Sequence, residues 1–400
     1  SPAVRVAAII VATLLLTAAI AGAGIAGQRL LAAGDPIIVA QDGTADHTTI
    51  TTAIEAAADG DTILVRAGTY DEALLITEDI TIRGDGDREA IVLERAGELP
   101  QGLGKWGDPG LPYAVRLEHA DASLENLTVR GEASRISIVG GSPTLDGLTI
   151  ERLGILGSDA GAGDSEHDDW MIGLELVNGT RATLRDSRVI DTHIAIDTAA
   201  SPVLEANVIS GGFTLMQGAG VSPVVRDNAF KDAKDESLWV GGGATAEIAH
   251  NAFSNARWAG VVVADAEIRP DGPPRAGTDA VIHDNTFRDC GTGVELQRWT
   301  SATIEGNDIG GSDSGITITE ADAVVTGNVV RDGRTGVHVV RGEPSLTDNS
   351  ISGNSVGLVI ERPARPVMTG NTVCDNDTNV RLMGGATMPE TDGDEICPDD

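Results

Sequence analysis

Asparagine returns at nearly fixed intervals through most of this chain: Asn126, Asn207, Asn228, Asn251, Asn285, Asn307, Asn328, Asn349 and Asn371. The commonest step is 21 or 22 residues. Each Asn closes an apolar run, as in SPVLEAN at 201–207 or SPVVRDN at 222–228, and a Gly-apolar-x-apolar phrase follows, as in GITI at 315–318. Gly147 and Ser187 stand in the equivalent slots where Asn is missing. A period of this size marks a solenoid. Three short alternating runs per period, with no helical run between them, give three strands per coil, hence an all-β parallel β-helix of about twelve coils. Each Asn suits a tight bend because it tolerates the left-handed region, and stacked amides also form a ladder.

The composition fits a slim rod: aromatics are 3% and Gly is 50 of 400 residues. A formal charge of −33 leaves nothing basic enough to replace phosphate counterions, so nucleic acid is set aside as a partner. The same charge opposes an unaided polyanionic substrate and keeps the rod soluble, and a monomer is expected.

Residues 6–27 carry no charge, long enough to span a bilayer or to serve as a signal peptide after Arg5. Either way the repeat is exported to the extracellular space or cell envelope, secreted or tethered to the membrane through 6–27. A linker follows at 28–36, the β-helix at 37–386 and an acidic tail at 387–400. A bridge between Cys374 in the last clear coil and Cys397 in the tail would pin that tail over the open end. Cys290 reads as a buried single thiol. Ile50, Ala53, Ile54 and Ala57 share one helical face, capped by Thr48 or Thr49, so a short helix should plug the first coil.

The opening GDTILVRAGTY at 60–70 and DITIRGDG at 79–86 resembles the start of pectin-lyase-like right-handed parallel β-helix proteins, and the resemblance covers about 36–385. It implies the fold and a substrate groove along one strand column. It leaves activity open, because that superfold carries lyases, hydrolases, esterases, epimerases and non-enzymes. The polygalacturonase-type Gly-His-Gly, epimerase-type Asp-Pro-His and methylesterase-type Gly-x-Val-Asp-Phe signatures are absent.

Three insertions, at 95–112, 157–170 and 264–278, flank the Gly-apolar-x-apolar column, and insertions in a solenoid mark its binding face. Alternation turns Arg116, Ser137, Glu175, Ala195, Thr214, Trp239, Val262, Glu295, Thr317, His338, Val359 and Arg381 outward, with His193 and Asp197 beside Ala195. Arg116 and the five tryptophans, Trp106, Trp170, Trp239, Trp258 and Trp299, lie on this column or its turns and suit sugar rings. Phe230, Phe253 and Phe287 read instead as a core stack. Glu175 and Asp197, on adjacent coils and about 8 Å apart by strand geometry, form the candidate acid pair, with His193 alongside. Glu295 lies five coils from Glu175, about 24 Å, too far to share one proton transfer. Asp164, Glu166, Asp168 and Asp169 could hold Ca2+ in the second insertion. The expected role is recognition or processing of polysaccharide or surface glycan outside the membrane, as a polysaccharide lyase, glycoside hydrolase or epimerase if catalytic. The alternative is a non-catalytic display, adhesion or accessory rod.

Overall fold

The computed structural model describes residues 34–95, 113–131, 135–152, 172–265 and 277–399. Within them the chain winds as a parallel β-helix whose three sheets contain 15, 14 and 13 strands. The first sheet runs from Ile37–Val39 to Thr391–Asp392, the second from Gly68–Tyr70 to Glu395–Ile396, and the third from Leu74–Ile76 to Thr378–Met383. The coil number therefore exceeds the twelve expected. The opening strands lack the Asn phrase yet pair in register, and two short strands inside 387–400 add a last turn on Val367–Thr369 and Thr372–Val373. The disulfide Cys374–Cys397 fastens that turn.

Apart from shifts between Ile172 and Leu174 and between Ile318 and Thr319, the parallel pairs keep one continuous register, so equivalent positions stack into columns. Ile63, Ile82, Leu124, Leu145, Leu184, Leu204, Val225 and Ile248 form one inward line of the first sheet. On the second sheet Phe230, Phe253 and Phe287 stack face to face, with centroids 4.8 and 4.7 Å apart and planes within 8°. The helix Ile50–Ala56 buries Ile50, Ala53 and Ile54 over the first coil, and Thr49 Oγ1 caps it by accepting from the Thr52 backbone N–H. Both match the sequence pattern.

The asparagines act differently from the bend role assigned above. From Asn207 to Asn371 they are buried and fall at the corner between the first and second sheets. Asn228 Oδ1 accepts from both the backbone N–H and the side-chain Nδ2 of Asn207, each at 2.9 Å, while Asn207 Nδ2 also donates to the Leu184 carbonyl. The same set recurs down to Asn371. The left-handed bend belongs to the residue before each ladder position: Ala206, Asp227, His250, Asp284, Gly306, Gly327, Asp348 and Gly370. Asn126 (φ 54°) and Gly147 (φ 63°) are bend residues of that kind, and Leu127 and Leu148 fill the ladder slot in their coils. Ser187 does sit in the ladder slot; its N–H donates to Asn207 Oδ1 and its Oγ accepts from the Leu148 N–H.

A second structural requirement falls on the Gly near the start of several third-sheet strands, among them Gly260, Gly293, Gly315, Gly336 and Gly357. A Cβ on Gly336 would lie 2.5 Å from the Gly357 carbonyl oxygen and 2.6 Å from Ile351 Cγ2, so only glycine lets the strands approach at this corner.

Replacing Asn328 by Ala strands the Asn307 N–H, one of the two Nδ2 protons of Asn307 and the Ile304 carbonyl. At about 1–3 kcal/mol per orphaned buried group, urea denaturation should show a loss of at least about 3 kcal/mol. Asn126→Ala, at a bend outside the ladder, should cost only about 1–2 kcal/mol. Equal costs at the two positions would refute the separation of roles.

Candidate functional site

The register defines the outward column of the third sheet as Leu75, Arg116, Ser137, Glu175, Ala195, Leu215, Trp239, Val262, Glu295, Thr317, His338, Val359 and Arg381. Leu215 takes the place expected for Thr214, which pairs with Ile194 and Leu238 on the core side. The two glycines and Phe213 ahead of this short strand shift the Gly-based alignment by one residue.

Outward does not mean exposed here. Ser137, Glu175, Ala195, Leu215 and Val262 are all buried. Glu175 accepts a hydrogen bond from Ser137 Oγ at 2.9 Å and pairs with Arg135 Nη1 at 3.4 Å, with both ionic side chains under 10% exposed. Asp197 lies on the adjacent coil, two residues past Glu175 in register, as strand counting placed it. Its Oδ1 accepts from the Thr198 N–H and its Oδ2 from Gln217 Nε2 at 3.4 Å. His193 Nδ1 accepts from the Phe213 N–H, and the two rings lie 4.3 Å apart. Arg116 pairs with Glu118 at 2.6 Å and lies over the Tyr113 ring. These groups are gathered at one end of the face, each held by protein partners.

A second constellation occupies the middle of the face. Trp239 is half-buried against Ala259, Val262 and Ala264, and its Nε1 is buried with no hydrogen-bond partner. On the next coil Trp258 stands at the start of its strand, 59% exposed, and its Nε1 donates to Glu295 Oε2 at 2.9 Å. Gln297 Nε2 donates to the other oxygen of Glu295 at 3.0 Å. Trp299, equally exposed, follows the strand Thr292–Leu296 at its far end. Glu236, half-buried three residues before Trp239, completes the group. Burial pushes its carboxyl above the usual range, and the negative charges of Asp235 and Glu295 push it further. Glu295 is thus fixed by two N–H donors beside the Trp258 indole, and Glu236 is near enough to feel its charge.

Sequence reading missed Glu236 because it lies at the corner before the column. The available signal was its position in DESLW at 235–239, an acid close to an outward Trp. Glu295 was in the column, but distance from Glu175 set it aside. Trp106, Trp170, the acidic residues Asp164, Glu166, Asp168 and Asp169, and the apolar segment 6–27 lie outside the described residues. Among the described residues no helix is long and apolar enough to cross a membrane.

A family model described as a right handed beta helix region matches residues 275–391. Together with the three-sheet coil, that settles the architecture. The chain is a right-handed parallel β-helix. The solenoid resembles the catalytic unit of a thermostable GH87 α-1,3-glucanase from Streptomyces thermodiastaticus, at 14% identity over 90% of this chain and 69% of that one, with a TM-score of 0.59. It also resembles the periplasmic alginate epimerase AlgG, at 13% identity over 84% and 77%, with a TM-score of 0.51. At such identities the likeness speaks for the fold alone. No curated protein sequence matches the chain.

The raised Glu236 carboxyl has a thermodynamic consequence. A folded-state pKa above the unfolded value means that the folded chain binds the proton more tightly, so the contribution to stability is full below the unfolded pKa and is lost as pH rises through the folded one. Glu236→Gln should therefore flatten the decline in melting temperature on going from acid to neutral pH and leave stability at low pH nearly unchanged. A decline of undiminished size in the variant would contradict the assignment.

Proposed function

We propose that the outward face of the third sheet binds polysaccharide, centred on Trp239, Trp258, Glu236, Glu295 and Trp299. The observation that carries this reading is the exposed indole of Trp258, held in place by its own hydrogen bond to Glu295. A pyranose presents an apolar C–H face to such a ring and hydroxyls to the flanking carboxylates, and a preset indole loses little entropy on binding. The net charge of −33 favours a neutral glycan over a polyanionic one. Both structural neighbours are named for polysaccharide substrates, which supports the class of ligand. The disulfide and the periplasmic neighbour support an extracellular or envelope location.

Glu236 adds a chemical capability. A carboxyl whose hold on its proton is strengthened by burial is suited to donate to a glycosidic oxygen, while Glu295, held by Trp258 Nε1, can stabilise developing positive charge or activate water. The Glu175–Asp197–His193 group is the other acid set on this face, and mutation separates the two.

Glycan-array binding followed by titration should find a neutral glucan or related polymer bound by the full chain. Trp258→Ala and Trp299→Ala should each weaken it by about 1–3 kcal/mol, with little effect on melting temperature. Product analysis on the bound glycan should show turnover that Glu236→Gln and Glu295→Gln abolish while binding persists. Loss of turnover in Asp197→Asn instead would place the reaction at the other end of the face. Absence of binding to any glycan would favour a display or adhesion rod.

A further inference from the structure

A different corner of the solenoid brings two histidines and a carboxylate together. His250 and Asp284 occupy the same left-handed bend position on successive coils, with φ of 56° and 54°. Register pairs Ala249 with His283, which puts His283 diagonally beside His250. Each of the three residues offers one ligand atom within 4.8 Å of the others. The imidazole rings lie 5.7 Å apart, edge to face, so a nitrogen of one can be directed toward a point that the other also addresses. His283 Nδ1 is 2.9 Å from Asp284 Oδ2. The second nitrogen of that ring, Nε2, faces Glu247 Oε1 at 3.8 Å. The site is open to solvent, since His250 and Asp284 are exposed and His283 is half-buried.

We propose that His250, His283 and Asp284 bind a divalent transition metal of the zinc class across two coils. Zn2+ takes imidazole nitrogen and carboxylate oxygen at about 2.0–2.2 Å, so tetrahedral ligands stand roughly 3.3–3.5 Å apart. The trio needs only side-chain rotations to reach that spacing, with the metal replacing the proton shared by His283 and Asp284. Water completes the fourth position. Glu247 then accepts from the outer N–H of His283, the arrangement by which a carboxylate fixes the tautomer and orientation of a metal-bound imidazole. Glu305, next to His283 in register on the following coil, adds negative charge nearby. The donor set suits zinc better than Ca2+ or Mg2+, which prefer all-oxygen sites.

The placement gives the metal a structural effect. His250 and His283 belong to coils separated by the insertion at 264–278, which lengthens the step from Asn251 to Asn285 to 34 residues. A metal held by both coils joins them on the side opposite the third-sheet face. The site is independent of polysaccharide binding. The other described cluster with metal-ligating atoms, Cys374, Glu395 and Cys397, is closed by its disulfide.

The test is isothermal titration of ZnCl2 into the full chain, made without a histidine tag, stripped of metal by chelator and kept at physiological salt. The expected result is saturable binding of one Zn2+ in the micromolar range, with CaCl2 failing to compete and the melting temperature rising with zinc. His250→Asn keeps a residue suited to the left-handed bend, and His283→Gln keeps a polar side chain at the half-buried position. Each should lower affinity at least about tenfold and remove the thermal shift, with far-UV circular dichroism unchanged; Glu247→Gln should weaken binding by about tenfold, the low end of outer-shell effects. The proposal is overturned if the chain shows no saturable zinc binding, or if folded His250→Asn and His283→Gln proteins bind zinc as the native chain does.

Discussion

The amide ladder is the interaction on which the rest of this molecule depends. An Asn side chain is both donor and acceptor, so a column of them at the coil spacing satisfies itself: each oxygen takes two N–H groups from one neighbouring coil, and each Nδ2 spends its protons on a carbonyl and the next amide. Burying so many polar groups would be costly if any were unpaired, and a network satisfied throughout avoids that cost. Its ends use residues that stop the pattern. Ser187 begins it, and Asp394 closes it by accepting from the Asn371 N–H at 2.8 Å and Nδ2 at 2.6 Å. A carboxylate has no N–H to pass on, so it terminates the column. A shorter ladder, Asn354 to Asn376 to Asn379, ends at Asp399, which accepts from the Asn379 N–H while Asn379 Nδ2 donates to the Cys397 and Pro398 carbonyls. The acidic tail is thereby part of the solenoid's cap, held by Cys374–Cys397.

Register follows from the ladder, and side-chain placement follows from register. A one-residue slip in any coil that the ladder crosses would break amide bonds and turn apolar residues outward together, so those columns are fixed to a single alignment. This gives the third sheet its linear face and brings Trp258 over Glu295 from the next coil. It also brings His250 beside His283, although the step from Asn251 to its ladder partner Asn285 is 34 residues. Residues distant in sequence are made neighbours by stacking alone.

The two halves of the third-sheet face have different electrostatic characters. Near Glu175 the charges are paired and buried, with Arg135 and Ser137 taking the carboxylate's capacity. Around Trp239 and Trp258 the indoles are partly or fully open, and one carboxyl is pushed toward neutrality. Shared burial of opposite charges builds rigidity, whereas a raised carboxyl beside exposed aromatic surface offers chemistry to a ligand.

The sequence by itself determined the architecture: the 21–22-residue period, three alternating runs per coil, the Phe stack, the plugging helix and the Cys374–Cys397 link all follow from local spacing and residue type, which a repeat displays many times over. Tertiary structure decided what each position does. The Asn of each phrase pairs with its neighbours in buried space while the preceding residue makes the bend, a distinction of one residue that a periodic pattern does not contain. It decided that Glu175 is buried against Arg135, that Leu215 rather than Thr214 faces out, and that Glu236 is half-buried within reach of the Glu295 charge. Those outcomes depend on what covers a strand and on contacts between coils, and alternation along a strand carries only the side of the sheet, not the solvent or the partner that waits there.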